Sequence, residues 1–190
     1  MTIIIIIAIV AILVLWFISV QRNLVKHEEI CKNGLSQIGV QLASRWDALK
    51  ALAELTKSYS EHEYKTITDT IAQRRPITAA SSSEEANAQE NLFNQAMQHL
   101  NVVVEKYPEI KANETYVKTM DSVNTYQNQV RMSQMVYNDS VTKYNQLIRQ
   151  FPSSIVASML HFEQRQYLQS NAEKEEMPSM RHPSPQSAKV

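Results

Sequence analysis

Residues Thr2–Val20 read TIIIIIAIVAILVLWFISV, nineteen positions without a charge. A helix rising about 1.5 Å per residue carries such a run across roughly 28 Å, the thickness of a bilayer's hydrocarbon core. Lipid leaves backbone N–H and C=O groups no outside partner, so the run must close its hydrogen bonds internally, as a helix. A cleaved signal peptide would place a basic segment before the apolar run and a small-residue cleavage site after it. Only Met1 and Thr2 come before, and Phe17-Ile18-Ser19-Val20-Gln21-Arg22 has no A-x-A pattern. A retained anchor is expected over residues 1–20. Arg22, Lys26 and Lys32 follow the span and no basic side chain precedes it. The positive-inside rule therefore puts the body in the cytoplasm and the N-terminus outside. The implied location is the cell inner (cytoplasmic) membrane, with the lipid bilayer as first partner.

Glycine limits what the body can be. Gly34 and Gly39 are the only two in the chain, which leaves little material for tight hairpins or phosphate-cradling loops. With 19 basic and 19 acidic residues there is no basic excess for nucleic acid. Cys31 stands alone, so no intrachain disulfide can form.

Periodicity supplies the elements. Leu24, Cys31, Leu35, Ile38, Leu42, Leu49, Leu52 and Tyr59 recur at three-four spacing, so one helix is expected from Gln21 to Arg75, ended by Pro76. Ser81 with Glu84 and Ser82 with Glu85 match the S-x-x-E capping box, opening a second helix that runs to Lys106. Tyr107-Pro108 breaks it. A third helix starts at Asn113 or Glu114, with a heptad seam from Tyr116 through Val123, Val130, Tyr137 and Tyr144. A short last helix follows Phe151-Pro152, and residues 171–190, rich in proline and serine, read as a disordered tail. The expected fold is all-α: an N-terminal transmembrane helix continuing into a long helix of an antiparallel four-helix bundle over residues 38–170. A first helix of roughly 80 Å would overhang its partners. Residues 21–37 are therefore expected as a stalk whose stripe of Leu24, Cys31 and Leu35 meets another chain. Gly39 and Ala43 form a small-xxx-small pair that would also allow close helix approach in a homo-oligomer.

Reactive chemistry finds little to rest on. Bundle di-metal sites use Glu-x-x-His pairs, and the chain has none. His27 and Cys31 are four apart, too few for a zinc site, and Glu61-His62-Glu63 has no second histidine at helical spacing. No G-x-S-x-G turn occurs. No cofactor, metal or small-molecule substrate is expected, and no enzymatic activity. The polar residues on the apolar seams say more. Arg45 on the first helix and Gln127 and Gln134 on the third would form a polar core layer, because a buried polar group left unpaired costs about 1–3 kcal/mol. A slight helix rotation would instead leave them at the bundle edge, where long side chains reach water.

In order and spacing, a set of short motifs resembles the LemA proteins from the anchor to about Tyr167. They are Gly39-Val40-Gln41-Leu42 with Arg45-Trp46-Asp47, Tyr59, His62-Glu63, Tyr107-Pro108-Glu109-Ile110-Lys111-Ala112-Asn113, Tyr137-Asn138-Asp139 with Val141, Tyr144-Asn145, and Phe151-Pro152 with Ile155 and Ala157. The resemblance implies an N-out single-span protein with a cytoplasmic four-helix bundle and no established activity. Members of that family usually carry Asp where Gly39 stands, Pro at Lys50, Glu at Gln127 and Arg at Gln134. Losing both charges together suits a buried acid–base pair, and Gln134→Arg alone would then destabilise the fold until Gln127→Glu was added. The function expected is a membrane-anchored scaffold or adaptor working with itself or with other membrane or cytoplasmic proteins. The alternative is a membrane-linked sensor or signalling module, against which stands an external portion of one or two residues.

Overall fold

The structure is a computed structural model and describes residues 1–169. Among them are five α-helices, one 3-10 turn and no strand: α1 (Thr2–Thr56), α2 (Glu61–Ala72), α3 (Ser83–Lys106), the 3-10 turn Pro108–Ile110, α4 (Glu114–Arg149) and α5 (Ser153–Met159). The expected disordered tail lies outside the described residues.

Local sequence accounts for the helix ends. Ser82 accepts a hydrogen bond from the Glu85 amide while the Glu85 carboxylate accepts one from the Ser82 amide, a complete capping box. Asn113 Oδ1 caps α4 by accepting from the Thr115 and Tyr116 amides.

The helix expected from Gln21 to Arg75 is two helices, a correction with a local cause. Thr56 Oγ1 donates back to the Ala53 carbonyl at 2.7 Å, and the amides of Tyr59 and Ser60 both donate to the Thr56 carbonyl. Ser60 then turns extended, and its hydroxyl accepts from the Glu63 amide to cap α2. Ser60-Glu61-His62-Glu63 is the same S-x-x-E pattern that opens α3.

Length follows from this break. The part of α1 beyond the apolar run, residues 21–56, has the 36 residues of α4, about 54 Å each. The two helices run antiparallel. Early α1 meets late α4, where a Cβ on Gly34 would lie 3.3 Å from the Tyr137 ring. Late α1 meets early α4, where Trp46 and Leu49 share a core with Tyr116 and Val123.

Three cores follow one another along this pair. Farthest from the apolar span, α2, α3 and the 3-10 turn pack on α1 and α4 around Trp46, Leu52, Phe93, Leu100 and Ile110. The middle core joins Cys31, Leu35, Ile38 and Leu42 of α1 to Tyr137, Val141 and Tyr144 of α4, with Ile77 and Leu168 closing it. Nearest the span, Leu24 packs against Val156 and Ala157 of α5. No bare stalk exists at residues 21–37. Leu24, Cys31 and Leu35 are at most 1 % exposed, so their stripe is covered within this chain. Residues 2–16 of α1 are exposed all round, and α1 is by length and composition long and apolar enough near its N-terminus to cross a membrane.

Gly39 is likewise used within the chain. The Ile77 carbonyl oxygen occupies the place a Cβ would take, and its carbonyl carbon lies 2.8 Å from that point. The loop between α2 and α3 is thereby laid directly on the α1 backbone.

Candidate functional site

Two polar constellations interrupt the apolar cores. The first is centred on Arg45, which is fully buried. Its Nη1 donates to Glu90 Oε2 of α3 at 2.7 Å, and its guanidinium carbon lies 3.5 Å from the centroid of Phe93. Asn94 Oδ1 is a distant acceptor at 3.5 Å, and Nε has no hydrogen-bond partner among the described residues. Phe93 also meets Trp46 edge-on, with centroids 5.0 Å apart. Burial draws the Arg45 pKa below that of a solvated guanidinium, and the charge of Glu90 opposes that pull. A planar guanidinium between an aromatic face and a carboxylate suits arginine and would not suit lysine.

The expected layer of Arg45, Gln127 and Gln134 is thus only partly assembled. Arg45 is inside, but its acceptors are Glu90 and Asn94 on α3, and no hydrogen bond joins it to Gln127 or Gln134 among the described residues. Both glutamines are half-buried. A charge at Gln134 can therefore reach water, and the destabilisation expected of Gln134→Arg shrinks to that of an exposed pair, under about 1 kcal/mol. Glu90 had a sequence signal that periodicity could have exposed: it falls on the stripe of Ala86, Phe93 and Leu100.

The second constellation clamps the chain that follows α5. Asn138 Nδ2 donates to the Leu168 carbonyl at 3.0 Å while its Oδ1 accepts from the Leu168 amide at 2.9 Å. One turn pair further on, Asn145 does the same to Arg165, at 2.9 and 3.0 Å. Tyr137 Oη donates to the Gln166 carbonyl between them. Asn138 and Asn145 stand seven residues apart and so share one helix face. Each carboxamide offers the donor and acceptor of a peptide group, so the extended segment is held as if by a neighbouring strand. Arg165 ties the segment to α1 through Glu28 at 3.2 Å, and Leu168 enters the middle core beside Cys31. This segment has no periodicity, and together with α4 and α5 it covers the stripe expected to be bare.

The groups beneath it are kept neutral. Burial raises the Cys31 thiol, more than the charge of Arg165 lowers it. Burial likewise raises Tyr137, and it lifts Tyr144 to about 12. His27, weighed with Cys31 as a ligand pair, shares a hydrogen bond through Nδ1 with the Asn23 carbonyl at 2.9 Å. Among the described residues no group of three or more His, Cys, Asp or Glu side chains is placed to hold a metal ion.

The residues in these two constellations, Arg45 and the repeated Tyr-Asn pairs, are among those that carry the LemA likeness. The LemA family model matches residues 34–182, most of the chain. This chain belongs to the LemA family. No curated protein matches it in sequence. The match takes in Arg45, Glu90, Asn138 and Asn145 and begins after the apolar run and Cys31. In this LemA-family chain, then, the family region holds both polar constellations and leaves the apolar run outside it.

Proposed function

We propose that this LemA-family protein is a non-enzymatic scaffold or adaptor, held by one span in a bacterial inner membrane with its body, an antiparallel four-helix bundle of α1 to α4, in the cytoplasm. The observation that carries the reading is α1 itself. One unbroken helix is bare over its apolar part and packed over the rest, so it fixes a rigid body directly to a bilayer. Arg22, Lys26 and Lys32 just past the span support the cytoplasmic side. The polar side chains inside the body are taken up in holding it together: Arg45 on Glu90, and the two asparagines on the backbone of residues 165 and 168. Outside, Met132, Met135 and Val136 leave an apolar patch on α4 that is 60–72 % exposed, and such patches suit protein contact. Self-association through Leu24, Cys31 and Leu35 is no part of the reading, because those side chains are spent within the chain.

Two measurements test it. A membrane-impermeant maleimide should label Met132→Cys in inverted vesicles and not in right-side-out ones; the reverse pattern refutes the orientation. A photo-cross-linking residue at Met132 or Met135 should give discrete protein adducts in cells. No adduct at either position, with the protein present at its normal level, refutes the adaptor reading. The continuity of α1 from bilayer to body favours one alternative, a sensor or signalling module. In that case the adducts should change with the state of the membrane.

A further inference from the structure

The short helix α5 packs where the apolar span ends. Val156 and Ala157 are buried on Leu24, and Phe17 and Val20, both inside the apolar run, pack against the same cluster. From Phe17 to Leu24 the helix rises about 10 Å. The polar zone on each side of the hydrocarbon core is roughly 5–7 Å deep. Contacts over that interval therefore place α5 across the boundary between acyl chains and headgroups.

The face α5 turns away from α1 carries large apolar side chains, with Ser158 the exposed polar one among them. Ile155 and Met159 are four residues apart on one stripe and are 50 % and 63 % exposed. Phe151, in the turn before α5, is 76 % exposed, and Leu160 just after it is 39 % exposed. In water this would be an unexplained apolar cluster at the end of the body. At the level of Phe17 it needs no protein partner. Arg22 and Lys26 on α1 and Arg149 at the end of α4 are exposed at the same end, within reach of headgroup phosphates.

We propose that Phe151, Ile155, Met159 and Leu160 form a second membrane contact, seated in the lipid interface beside the span. The occupant of this face is the bilayer surface. The proposal rests on the reading of residues 2–20 as a span, and it adds a consequence. Two contacts on different elements fix the tilt and rotation of the body relative to the membrane, which a single helix leaves free.

The test uses the full chain in nanodiscs of phosphatidylcholine with phosphatidylglycerol. Spin labels are attached singly at Ile155→Cys and Met159→Cys, and at two reference positions. Ile12→Cys reports the span. Met132→Cys, about 28 Å farther along α4 from Phe151, reports water. The parent chain, whose only thiol is the buried Cys31, sets the labelling blank. Collision with oxygen marks lipid, and collision with a water-soluble nickel chelate marks solvent. The expected result is a nickel-to-oxygen ratio at 155 and 159 several-fold below that at 132 and approaching that at 12. If 155 and 159 match 132 while 12 remains lipid-exposed, the span stands and the second contact is wrong. Labels at 155 and 159 shielded from both reagents would mean that protein covers the face, the C-terminal segment or a second copy, and overturn the proposal too. A solvent-exposed label at 12 overturns the span and the proposal with it.

Discussion

Removing the Glu90 carboxylate should do more damage than removing the whole Arg45–Glu90 pair. In Glu90→Leu the guanidinium keeps its burial, its place over Phe93 and one distant acceptor, Asn94 at 3.5 Å, while its 2.7 Å ion pair is gone. Its Nε is already without a hydrogen bond, so no slack exists to absorb the loss. Stranding one charge of a buried pair costs about 3–5 kcal/mol. For a body of this size that lowers Tm by about 6–20 °C. In the double variant Arg45→Met, Glu90→Leu, no charge remains inside and the methionine keeps most of the stem volume, so stability should return to within about 1 kcal/mol of the parent. Trp46 is the natural reporter, buried and edge-on to Phe93. Its fluorescence can be followed during guanidinium unfolding of the full chain in detergent, with the other tryptophan, Trp16 in the apolar run, replaced by Phe in every variant so that Trp46 alone reports. A Glu90→Leu cost below about 1 kcal/mol would refute the argument. So would a double variant equal to the sum of the singles within about 0.5 kcal/mol, because coupled residues must deviate from additivity.

Other outcomes follow from the same geometry. Asn138→Ala or Asn145→Ala leaves a backbone amide and carbonyl without their partners, costing about 1–3 kcal/mol. Amide exchange should quicken at Leu168 or Arg165, and Cys31, fully buried in the parent, should label faster with maleimide than it does there; unchanged exchange at both sites would sink the clamp. Gly39→Ala forces the α2–α3 loop off α1 because a methyl group would collide with the Ile77 carbonyl, and a loss of about 1–3 kcal/mol is expected. Gly34→Ala meets chiefly the Tyr137 ring at 3.3 Å and should cost less, so equal losses in a melting experiment would contradict the assignment. At alkaline pH the folded state holds the Tyr144 proton up to about 12, above the unfolded value of 10.0. Below pH 10 its contribution is complete, and it is lost as pH rises toward 12, on the order of 2 kcal/mol. Tyr144→Phe should shift the alkaline unfolding midpoint upward, and an unshifted midpoint would exclude Tyr144 as the group that titrates.

The Asn138 and Asn145 side chains show how far the sequence could be read. Both stood out as parts of the Tyr-Asn motifs that carry the family resemblance, but what they hold is a segment some 20–30 residues away with no helical or strand pattern. Hydrophobic periodicity reports a residue's face, not the identity of an aperiodic segment lying on it. Arg45 was legible as inward for the same reason, while its acceptor was not, since helix rotation about its axis decides whether α3 or α4 presents it. Ser60 is a different kind of miss. Its capping signal was present in Ser60-x-x-Glu63, and it was outweighed by an apolar stripe that continued in register to Tyr59.

That stripe marks the division between the two kinds of information. By itself the sequence determined the apolar run, the all-helical class, the start of α3 to within Ser81 or Ser82, the start of α4 to within Asn113 or Glu114, and the breaks at Pro108 and Pro152, because each depends on composition, hydrogen bonds and sterics along a short stretch of chain. Only the tertiary structure decided that Leu24, Cys31 and Leu35 are covered, that Glu90 answers Arg45, and that Ile77 lies on Gly39. Those outcomes depend on where α1 stops. Ending it at Thr56 matched its packed length to α4 and left the rest of the chain to close over the part nearest the apolar run.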